Sequence, residues 1–101
     1  MSGAPISVRI DPLLAEIVPK FLERCRQTVL EFRGAVQSGD LDGARRIGHA
    51  LHGTASSFGF EEMAAIGREI ELAAKSADAG ALTELVGRLD AHVARVRPVF
   101  D

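Results

Sequence analysis

A chain of 101 residues can bury one core and not two, and its dominance by Ala, Leu, Val, Arg and Glu, with five aromatics that are all Phe, favours helices over sheets. Twelve basic against fourteen acidic residues leave a formal charge of −2, which excludes the broad positive field that holds nucleic acid or an anionic membrane. The single cysteine, Cys25, excludes an internal disulfide, and without a run of about 18 apolar residues no segment is expected to span a membrane.

Residues 1–10 carry Gly3, Pro5 and alternating small residues without helical periodicity, and they read as a tail or extended lead-in to a domain over residues 11–101. They lack the basic start and apolar stretch of a secretory signal, so the cytoplasm is the expected compartment. Asp11-Pro12 has the form of an N-cap followed by proline in a first turn, which predicts a short helix through Leu13, Leu14 and Ile17 that Pro19 ends or kinks. From Pro19 to Gln37, Phe21, Leu22, Cys25, Val29, Phe32 and Val36 recur in steps of three and four and fall on one helical stripe.

Ser38-Gly39 is a stop signal and Asp40 a new cap, predicting a helix from Leu41 to Ser57 with Ala44, Ile47, Leu51, Ala55 and Phe58 inward. Gly59 reads as a turn before a third long helix over Glu61–Ser76, marked by Met63, Ile66, Ile70, Ala73 and Ala77. Asp78 can cap a fourth, with Leu82, Leu85, Val86, Leu89, Val93 and Val96 at core spacing and Pro98 closing it. The connections are a few residues long, so the expected fold is all-α, an up-down-up-down four-helix bundle with a short N-terminal helix. Interior glycines, among them Gly48, Gly53 and Gly67, each cost a helix roughly 1 kcal/mol relative to Ala and call for a reason.

Rotating the second long helix by about 100° per residue from the core residue Leu51 puts His49 roughly opposite, on an outward face with Arg45, Arg46, His52, Gly53 and Ser56. A neutral imidazole is a nucleophile at physiological pH, and one in water can meet a phosphoryl group without any opening motion. Arg45 and Arg46 would disfavour the imidazolium and could contact the phosphoryl group, while Gly53 leaves a gap beside the ring. Other readings stay open: an exposed helical His is commonly a solvated surface residue, and His49 with His52 at i, i+3 could bind a metal, though no Cys or acidic third ligand is evident. His92, at the edge of the last stripe, reads as a half-buried packing residue, and Cys25 as a small core hydrophobe.

The run His49-Ala50-Leu51-His52-Gly53-Thr54-Ala55 followed by Phe58-Gly59 resembles the signature of histidine-containing phosphotransfer (HPt) domains. His49, Leu51, Gly53, Ala55 and Gly59 fit that signature and Thr54 is a near match; the order of helices over roughly residues 11–97 is also the family's. The resemblance implies that His49 accepts a phosphoryl group from the aspartyl phosphate of a response-regulator receiver domain, free or within a hybrid histidine kinase, and passes it to another receiver. It implies a phosphocarrier without an active site of its own, no cofactor in this chain, and Mg²⁺ held by the partner receiver. Where the family has Lys three residues after the histidine, this chain has His52, so a fixed charge becomes a conditional one. The chain is read as a freestanding, monomeric phosphorelay intermediate; the alternative is an HPt-like module that docks receivers or kinases without being phosphorylated.

Overall fold

A computed structural model of the chain describes residues 3–101; Met1 and Ser2, the start of the segment read as a tail, lie outside the described residues. The described residues form a strand β1 (Ile6–Ile10), a single 3₁₀ turn (Pro12–Leu14), four helices α1 (Val18–Ser38), α2 (Leu41–Phe58), α3 (Glu61–Lys75) and α4 (Ala79–Arg95), and a strand β2 (Val96–Phe100). Each bundle helix begins within two residues of its predicted start. Asp40 and Asp78 accept hydrogen bonds from the backbone N–H of Gly43 and Ala81, which satisfies donors that a helix start leaves without partners. Gly39 and Gly59 close α1 and α2 in the left-handed conformation, with φ of 74° and 92°.

The short N-terminal helix is corrected to the 3₁₀ turn. Asp11 caps it by accepting from the N–H of Leu13 at 2.9 Å, but the helix does not extend. Pro19 has no N–H to offer the carbonyl one turn earlier, so the chain starts afresh at Val18 with the proline in the first turn of α1, where its missing donor costs nothing.

The lead-in is extended, and it is not loose. β1 pairs in parallel with β2, Ile6 opposite Val96 and Ile10 opposite Phe100, so the whole bundle is the crossover between the two strands. Ile10 and Val96 are buried in the core and Val8 and Phe100 pack on it, while Ser7, Arg9, Arg97 and Val99 face out. Val96, expected on the stripe of the last helix, is buried from the strand, and α4 ends at Arg95, three residues before Pro98. Phe32, Leu51, Ile70 and Leu89 bring α1 to α4 into one core, whereas Ile47 and Phe58 are only half-buried. Ala77, placed on the stripe of α3, lies beyond its end in a turn.

Candidate functional site

The site is built where α2 and α3 come closest. A Cβ on Gly48 would lie 2.8 Å from the carbonyl oxygen of Gly67 and 3.0 Å from the amide nitrogen of Glu71, and a Cβ on Gly67 would lie 3.0 Å from the amide nitrogen of His52. Two residues without side chains therefore let the helix backbones touch. Gly48 takes part of the inward face that Ile47 was expected to hold, which turns His49 toward the seam between the helices without burying it.

His49 keeps a side chain 73% exposed, while its Nδ1 donates to Oε2 of Glu71 at 3.1 Å. Glu71, on α3, is only 6% exposed, so the carboxylate that holds the ring is fixed by packing. The hydrogen bond assigns the proton of a neutral ring to Nδ1 and leaves the lone pair on Nε2. Lys75, one turn further along α3, places Nζ 3.8 Å from the same Oε2. Neither Glu71 nor Lys75 was among the candidates read from sequence. Glu71 and Lys75 fall at i, i+4 on α3, but which stretch of α2 they oppose depends on the packing of the two helices.

The outward face expected of α2 divides in two. Arg45 and Arg46 both turn toward Asp42, with Nη2 of Arg45 2.8 Å from Oδ1 and Nε of Arg46 3.1 Å from Oδ2. The hydrogen bond from Arg45 and the nearby charges hold the Asp42 carboxyl below the usual carboxylate range. Gly53 and Ser56 are exposed, and a Cβ on Gly53 would meet only open space.

His52 departs from its expected place. It is half-buried, and its Nδ1 donates to the carbonyl oxygen of Ala64 at 3.0 Å, which anchors the ring on α3 rather than in solvent. The possible metal pair is thereby split, although Glu71 is an acidic neighbour of His49 that the sequence did not disclose. Among the described residues no group of three or more His, Cys, Asp and Glu side chains is placed to hold a metal ion.

His92 is fully buried rather than half-buried, and its Nδ1 lies 2.9 Å from Oε2 of Glu62 on α3, too poorly aligned for a good hydrogen bond. Burial lowers its pKa, partly offset by the Glu62 carboxylate. Cys25 is buried beside Met63, and burial pushes its thiol up to about 11. On the side of α2 away from Glu71, a groove of about 500 Å³ opens between α1 and α2 over Phe21, Cys25 and Leu51, and His49 does not line it.

The family model for the Hpt domain matches residues 16–98, which take in all four helices and His49. Among curated proteins and among solved structures nothing matches the chain. Among the described residues no helix is long and apolar enough to cross a membrane.

Proposed function

The chain belongs to the Hpt domain family, whose members are phosphotransfer modules of phosphorelays, and on that premise we propose that His49 is its phosphoacceptor, loaded from the aspartyl phosphate of a receiver domain. The observation that carries this reading is the His49–Glu71 pair: an exposed imidazole with Nδ1 bound to a buried carboxylate and Nε2 left for attack.

In the transfer step the Nε2 lone pair forms the N–P bond as the O–P bond of the aspartyl phosphate breaks, and the bonding electrons leave with the receiver's carboxylate. The ring, still bearing its Nδ1 proton, becomes cationic, and Glu71 faces that developing charge at hydrogen-bond distance. Onward transfer is the reverse step to a second receiver. This chain supplies the nucleophile and its orientation; Mg²⁺ and its acidic ligands belong to the partner. Arg45 and Arg46, once released from Asp42, together with Gly53 and Ser56, form the face on which the receiver docks; His52 contributes through the packing of its ring. The working unit is a cytoplasmic monomer that meets receivers or a hybrid kinase.

Incubation with a phosphorylated receiver should place acid-labile phosphate on the wild-type chain and on His92→Gln, and none on His49→Gln. Complex formation without any labelled phosphate would instead make the chain a docking module.

A further inference from the structure

Three permanent cations near His49, Arg45, Arg46 and Lys75, stand in ion pairs, and they are not held in the same way. Arg45 and Arg46 share Asp42, one to two turns from the ring, and Arg45 is hydrogen-bonded there at 2.8 Å. The ammonium of Lys75 lies 3.8 Å from Oε2 of Glu71, the oxygen that accepts from His49. That is an ion-pair distance and no hydrogen bond, so the lysine is held by charge alone. Its side chain is 54% exposed, with a flexible stem and three donors that can be redirected.

The plainest account of Lys75 is a helix pair, Glu four residues before Lys near a C-terminus, where both the pairing and the helix dipole favour it. Such a pair would affect the stability of α3 slightly and phosphoryl transfer not at all. Two features go beyond it. Glu71 is buried against α2 instead of standing in solvent, and the third member of the cluster is the proposed nucleophile. His52, which stands on α2 where the family has Lys, has its ring anchored to the carbonyl of Ala64.

We propose that Lys75 is the fixed cation of the His49 site, resting on Glu71 while the histidine is free and turning to the phosphoryl oxygens once the N–P bond has formed. This rests on the reading of His49 as the phosphoacceptor. As a dianionic group arrives, the ammonium favours it across a few ångströms of partly solvated space, and Glu71 is left to the ring that has become positive.

The test is single-turnover loading from one phosphorylated receiver, at low and at raised ionic strength, for wild type and for Lys75→Arg, Lys75→Gln and Lys75→Glu. Lys75→Gln should load roughly three- to tenfold more slowly at low salt, Lys75→Glu more slowly still, and Lys75→Arg close to wild type, with the differences shrinking as the Debye length falls from about 10 Å to about 3 Å. Nitrogen-15 spectra of the His49 ring should show the proton still on Nδ1 in each variant. Wild-type loading rates in both Lys75→Gln and Lys75→Glu at low salt would overturn the role of Lys75 and leave His49 as the acceptor. Slowing in all three variants alike, Lys75→Arg included, would mark a packing effect and overturn it too. If the wild-type chain itself takes no phosphate, the carrier reading falls, and this inference with it.

Discussion

Gly48 and Gly67 meet backbone to backbone where α2 crosses α3, and the contact sets the distance between His49 and Glu71. A methyl group at position 67 would press on the amide nitrogen of His52 and the carbonyl oxygen of Gly48 at 3.0 and 3.1 Å, atoms that cannot move without moving the helix. Gly67→Ala should therefore destabilise the fold by about 1–3 kcal/mol despite the better helix propensity of alanine, as overpacking does. Urea unfolding checks the cost, and the same variant should load phosphate more slowly because the ring loses its anchor. An unchanged midpoint would mean that the helices separate freely.

In the proposed transfer step Glu71 orients the ring and faces its charge, so Glu71→Gln should keep the fold and slow loading by about 10- to 100-fold, the range expected when a charge-assisted hydrogen bond becomes a neutral one. Loading at the wild-type rate would remove Glu71 from the mechanism. The pairing also alters what His49→Ala should cost. Exposure of the ring alone suggests almost nothing, but the variant strips a buried carboxylate of its hydrogen-bond donor, and a loss of about 1–2 kcal/mol is expected by chemical denaturation.

Gly53 behaves differently from the other two glycines because nothing lies near it. Gly53→Ala should stabilise α2 by up to about 1 kcal/mol, the usual gain from replacing an exposed helical glycine. Gly53→Leu should also fold, yet block loading by crowding the approach to the ring. Normal transfer in the Leu variant would show that the partner does not come close at this position.

His92 should make stability depend on pH. Burial sets its folded-state pKa below the ordinary value of about 6.5, so the unfolded chain binds the proton more readily. The contribution is therefore present above about pH 6.5 and is lost as the pH falls through the lowered folded-state pKa. Unfolding free energies measured from about pH 7.5 to 5 should decline in wild type and decline less in His92→Gln. Glu62→Gln should steepen the decline, because the Glu62 carboxylate, 2.9 Å away, is what favours the imidazolium. A flatter profile in Glu62→Gln would contradict the assignment.

The parallel ribbon is integral to the fold, since Ile10 is 2% exposed and belongs to the same core as the helices. Ile10→Ala should cost about 2–5 kcal/mol, as for other buried isoleucines. A negligible change in the denaturation midpoint would return residues 6–10 to the status of a tail.

The four helices, their caps and most of their buried stripes were legible in the sequence because they depend on local rules: a repeat of three to four residues, aspartates before helices, glycines after them. So was His49, which the motif from His49 to Gly59 marks and the rotation from Leu51 places in solvent. The ribbon was not legible as a ribbon. The alternation of Ile6, Val8 and Ile10 suits a strand, but its partner is 90 residues away in Val96–Phe100, a stretch that reads as the end of a helix. Nor could the setting of His49 be read. A helical wheel gives the direction of a side chain and says nothing of which helix lies beside it, so Glu71, Lys75 and the turning of His52 to Ala64 were decided only when two glycines let α2 and α3 approach backbone to backbone. Local periodicity determined the four helices and the outward placement of His49; helix packing, which sequence spacing does not encode, decided that Glu71 and Lys75 lie beside it.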